Sequence, residues 1–260
     1  MKFRIETPLG WRVWAIGIVL VGLVNLGLGD FSPGQPVPDW FPGRTPFAYA
    51  TNALMVVAGA AVLWRPATVR ATAVVTAYYA IVIVIVMNGS VWITAPAVYG
   101  PYESIAIQLA IPAAGLIVWA KFAEIDPRRA ALLTRIGQGA FGLCCLIFGG
   151  AHFVYMDMTA PLVPKWLPPS QVFWGYATGV AHIAGGIAIL TRIRARLAAI
   201  LLAAMYACFS LLVHIPLLLG DPHRPFFWTE NALNIALIGC AWVVADSLTG
   251  ARKAEARLPI

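Results

Sequence analysis

The chain has four histidines, His152, His182, His214 and His223, and all of them fall in its second half. Three lie in apolar stretches, and Glu230 opens another. Ionisable side chains inside hydrocarbon are expensive and mark function by default. Sorted by depth, His152 ends one stretch at its outer end and His214 lies in the outer third of a later one. Glu230 begins the last stretch on that same side. His152, His214 and Glu230 are therefore expected to share an outward-opening cavity and to carry its chemistry, with His182 below them. Tyr206, Ser210 and His214 are four apart and form one helical stripe. Glu230, Asn231 and Asn234 lie close together at the start of the last stretch. His182, Tyr206, Ser210 and Asn234 are thus the expected ligand-binding residues. A His–Glu pair can fix a tautomer or pass protons. Such a pocket suits a quinone-like molecule, with His214 bonding a carbonyl oxygen and the pair moving the protons that redox turnover requires.

Two other readings of the same residues stay open. They can be packing bonds across helices, which average only ~0.6 kcal/mol in a membrane bundle; for His182, on a face it shares with Gly175, Gly179 and Gly186, that is the stronger reading. Histidines and a carboxylate also suit zinc, copper or iron, or two histidines can be the axial ligands of a haem. Each histidine comes from a different stretch, so no local metal-ligand spacing exists and no metal site is assigned. His223 reads as a loop residue.

The elements that position these residues are membrane helices. Of 260 residues 60% are hydrophobic and 11% charged, with mean hydropathy +0.80; soluble domains are about 25% charged. The apolar runs are continuous rather than alternating, which excludes a β-barrel. Eight spans are predicted, at about 11–29, 47–64, 71–93, 102–121, 136–153, 172–190, 197–219 and 226–245. Pro- and Gly-containing turns separate them, and Pro112 and Pro216 are expected to kink their helices. The first span follows Lys2, Arg4 and Arg12 but holds Asn25 and no clear cleavage site, so it reads as a retained helix. Sorting Lys and Arg by side gives fifteen against three, the three being Arg44, Lys165 and Arg224. The positive-inside rule then puts both termini in the cytoplasm of a bacterial-type inner membrane. The ten tryptophans fall near the two interfaces. The net charge of +7 has the same origin, and no nucleic-acid signature is present. Cys144, Cys145, Cys208 and Cys240 lie in spans without a Cys-x-x-Cys and read as small apolar residues. Asn88-Gly89-Ser90 matches a glycosylation sequon but sits at membrane depth.

The halves repeat. Asp30-Phe31 aligns with His152-Phe153, Pro38-x-Trp40-x-Pro42 with Pro164-x-Trp166-x-Pro168, and Tyr49-Ala50-Thr51 with Tyr176-Ala177-Thr178. Asn88 aligns with His214, Glu103 with Glu230, and Met55 approximately with His182. Four spans per half make this a parallel duplication. The expected fold is an all-α membrane protein of two four-helix bundles, residues 1–122 and 135–260, joined by a cytoplasmic linker at 123–134.

Gly149-Gly150, His152-Phe153, the loop Pro164–Pro169, and Tyr176, Thr178, Gly179, Val180, Gly185 and Gly186 together resemble the DoxX-like integral membrane proteins. The first half resembles a diverged copy. Some members of that family are associated with quinone-linked thiosulfate oxidation or with membrane redox complexes. The resemblance therefore implies a four-helix fold and a subunit of membrane redox metabolism, with redox proteins as partners beside the lipid bilayer. A non-enzymatic binder or transporter of a lipophilic molecule, or a scaffold recruiting soluble redox enzymes to its basic loops, are the alternatives.

Overall fold

The computed structural model describes residues 8–32, 34–89, 94 and 96–249. Lys2, Arg4, Ser90, Trp92, Ile93, Arg252, Lys253 and Arg257, used above for span, sequon or topology, lie outside the described residues. All regular structure among the described residues is helical, and eight helices there are long and apolar enough to cross a membrane. They are α1 (Gly10–Leu28), α2 (Arg44–Leu63), α3 (Thr68–Met87), α4 (Tyr99–Phe122), α5 (Pro127–Val154), α6 (Gln171–Thr191), α7 (Ala195–Gly220) and α8 (Pro225–Ser247). Leu23, Val57, Ile85, Val86, Val180, Leu201 and Leu211 are exposed, whereas Asn25, Asn52, Gln108, His182 and Asn234 are buried. An apolar outside around a polar-containing inside is what a lipid solvent selects.

α5 starts earlier than its hydropathy indicates. The Asp126 carboxylate accepts from the N–H groups of Arg128 and Arg129 at 3.0 and 3.1 Å, and Pro127 takes the first helical position. Residues 127–134, expected in the linker, are therefore helix, and the connection from α4 shrinks to 123–126. The charges of Arg128, Arg129 and Arg135 hide this turn from a hydropathy reading but not from a capping one.

Each helix packs against the next in the chain, and α8 returns to α1. The most extensive contacts join the two halves: α1 lies along α8 and α4 along α5, while α4 also meets α8. Within each half the first and fourth helices barely touch. Glycines set the close crossings. A Cβ on Gly10 would come within 2.6 Å of the Trp242 backbone, and α5's Gly137 packs just as tightly on the Ala113 carbonyl of α4. Trp14 is fully buried between the halves and donates its indole N–H to the Ile111 carbonyl at 3.1 Å. Both α3 and α7 loosen into π-helical turns towards their C-terminal ends, at Tyr78–Met87 and Ser210–His214.

Candidate functional site

α5 and α6 approach through Gly142 and Gly149 on one side and Gly179 and Gly186 on the other. A Cβ at Gly149 would lie 2.7 Å from the Gly179 carbonyl oxygen, and one at Gly186 2.7 Å from the Gly142 oxygen. The close crossing brings two histidines together. The rings of His152 and His182 have centroids 4.9 Å apart, with Phe209 6.1 Å and Tyr206 5.5 Å from His182. His152 Nδ1 lies 2.8 Å from the Phe148 carbonyl oxygen and His182 Nδ1 2.9 Å from that of Thr178. A carbonyl only accepts, so Nδ1 carries the proton in each ring. In the neutral rings Nε2 is then an acceptor.

α7 contributes Met205, Tyr206, Cys208, Phe209, Leu212, Val213 and His214. Pro216 has no N–H to give to the preceding turn, and the backbone adjusts through the π-helical Ser210–His214 segment just before it. The His214 carbonyl accepts from Asn231 Nδ2 at 2.8 Å. Asn234 Nδ2 donates to the Tyr206 carbonyl and to Ser210 Oγ, both at 2.7 Å, which clamps α8 to the loosened part of α7. The Tyr206 hydroxyl lies 4.0 Å from Cys145 Sγ.

These residues line one cavity of about 560 Å³. His152, His182, His214, Glu230, Tyr206 and Asn234 all face it. Ser210 does not: it sits behind Asn234, on a separate apolar groove with Leu20, Leu23 and Asn231. Cys208 lines the cavity, whereas Cys144, Cys145 and Cys240 are buried. The residue that sequence reasoning left unplaced is Glu103. It belongs to α4, in the other half of the chain, yet lines the same cavity with Ile107. Its alignment with Glu230 was the available signal, but only the packing of α4 on α5 and α8 turns it into a wall residue. The walls are otherwise apolar or aromatic, including Phe148, Leu233 and Leu237.

The connection from α5 to α6 forms the roof. A short helix, Met156–Thr159, and a 3-10 turn, Ala160–Leu162, keep it over the helix ends. Thr159, Leu162, Val163, Pro164 and Leu167 turn inward. Trp174 Nε1 donates to the Pro168 carbonyl at 2.8 Å and Gln171 Nε2 to that of Val163 at 2.5 Å, which pins the roof to α6. Trp166, prominent in the sequence motif, points out and is exposed.

The cavity is chemically asymmetric. Neither carboxyl group, Glu103 or Glu230, and neither ring nitrogen of His214 has a hydrogen-bond partner among the described residues. No lysine or arginine lines the cavity. Among the described residues, no three His, Cys, Asp or Glu side chains are grouped as a metal-ion site. The arrangement offers two acceptor imidazoles, one imidazole free to donate, and two proton-exchanging carboxyl groups inside apolar walls.

A family model described as "Domain of unknown function (DUF8561)" matches residues 141–245, less than half of the chain. The match takes in His152, His182, His214 and Glu230 and leaves out Glu103. No curated protein matches the chain, and no solved structure does.

Proposed function

We propose that this is a DoxX-like inner-membrane protein, built by parallel duplication of a four-helix unit, that binds one quinone-like molecule in the His/Glu cavity as a subunit of membrane redox metabolism. The observation that carries the reading is the cavity itself. Its volume of about 560 Å³ lies within the ~300–1,000 Å³ of small-molecule sites. Its walls are apolar, and its few polar groups are ones that exchange protons with a head group being reduced or oxidised. Support for the duplication comes from the matched packing of α1 along α8 and of α5 along α4, and from the π-helical turns in both α3 and α7. The redox assignment rests on the DoxX-like motifs, and the cytoplasmic placing of both termini on the basic residues.

The test is mass spectrometry of the organic extract of the detergent-purified protein, joined to quinol oxidation and quinone reduction assays. A co-purified quinone, with turnover lowered about 100-fold by Glu230→Gln or His214→Ala, is the expected result. A bound lipid with no redox turnover makes the protein a carrier. Unchanged binding and turnover in both variants removes the cavity from the chemistry.

A further inference from the structure

The first half treats its own outer end differently from the second. Its α1–α2 connection does not roof the helices; it drops between them. Phe31, Ser32, Gln35 and Val37 are buried. All four helices of that half grip the segment. Ser32 Oγ donates to Asn25 Oδ1 of α1 at 2.8 Å, and Asn52 Nδ2 of α2 reaches the Asp30 carbonyl at 3.4 Å. Just beyond the end of α3, Asn88 Nδ2 donates to the Gly34 carbonyl at 3.1 Å. From α4, the ends of the Ser104 and Gln108 side chains close over Gly34. The first half thus holds a peptide carbonyl at its outer end where the second half holds a cavity.

The repeat alignment places Asn88 at the position of His214. In the filled half the Asn88 N–H₂ donates to the Gly34 carbonyl and to that of Ile83 at 2.8 Å, and an amide N–H₂ has no proton to exchange near neutral pH. In the open half the corresponding imidazole has no protein partner among the described residues and faces the cavity. We infer that the inserted Gly34 carbonyl is an internal stand-in for the ligand, and that the second cavity takes a lipophile bearing a carbonyl oxygen, which accepts from a ring N–H of His214. His214 is then a specificity-determining donor, and donating is enough to fill its role in binding. The other end of the site complements this. His152 and His182 present acceptor Nε2 atoms, which suit a hydroxyl or N–H on the same head group.

This inference rests on the cavity being a ligand site and names the group that site reads. The test uses 2-methyl-5-decyl-1,4-benzoquinone and its 1,4-dimethoxybenzene analogue, which keeps the ring and chain but has weakly accepting ether oxygens in place of the carbonyls. Binding to the full-length protein in detergent is followed by quenching of tryptophan fluorescence, since Trp174 lines the cavity. The expected result is that the quinone binds the wild type and His214→Asn alike and binds His214→Leu about tenfold more weakly. The dimethoxy analogue should not distinguish the three proteins. His214→Gln, a second amide donor, checks that a loss in Asn is not a matter of reach. If both amide variants bind the quinone as weakly as His214→Leu, the donor assignment is wrong while the cavity reading stands. If the wild type binds neither probe in competition with the other, the cavity reading fails and takes this inference with it.

Discussion

The two carboxyl groups come from opposite halves of the chain, and Glu103 is the one that hydropathy and motif could not place. It lines the cavity beside Ile107 without a partner among the described residues, as Glu230 does without one. If both groups exchange protons with the ligand, Glu103→Gln should lower turnover on the scale of Glu230→Gln, about 100-fold, with little change in thermal midpoint. A Glu103→Gln protein with wild-type turnover would reduce that side chain to wall material. His152, His182, His214 and Glu230, which line the cavity, share one property legible in the sequence: each is an ionisable side chain within an apolar span. Ser210, expected on the same stripe as Tyr206 and His214, lies off the cavity wall. Its hydroxyl accepts from Asn234 Nδ2, and it lines the separate groove with Leu20 and Asn231.

At the scale of elements, the eight spans were legible because each is a long apolar run, and the charged first turn of α5 was not. The pairing of helices was legible only in part. Gly149, Gly179 and Gly186 announced a close α5–α6 crossing, yet nothing periodic in α4 says that it lies against α5 and α8. The α5–α6 crossing is also what holds His152 over His182. A Cβ on Gly179 would sit 2.9 Å from His152 Cβ and 3.0 Å from the Phe153 ring. Gly179→Leu should therefore lower stability by about 1–3 kcal/mol, read as a fall in thermal midpoint in detergent, and weaken quinone binding as well. Gly139 has nothing within 4 Å of its would-be Cβ, and Gly139→Ala should leave both measurements unchanged. Equal losses in the two variants would mean that packing at the α5–α6 crossing does not set the site.

For the whole molecule the strongest contacts run between the halves, so the cavity is a composite: four helices of one half closed by α4 of the other. The proposed orientation of this assembly rests on its basic residues. Arg192 and Arg194 flank the tight α6–α7 turn, both with positive φ, 64° and 53°. Non-glycine residues there are strained by roughly 1–2 kcal/mol each. Retaining arginine in such a turn fits an orienting charge more readily than a folding requirement. A cysteine at Ile193, in a Cys208→Ala background, should react with an impermeant maleimide only after cells are opened. Labelling of intact cells would invert the topology.

The buried Gly34 segment also sets a ratio. Because the chain packs its own backbone into the outer end of the first half, saturation binding should show a single class of sites and one ligand per 260-residue chain, even under the proposed duplication. A measured ratio of two would mean that residues 31–37 withdraw and that the first half can be loaded as well. A ratio of one makes the first half a permanently occupied twin, useful to its neighbour for the wall it lends and no longer for anything it can bind.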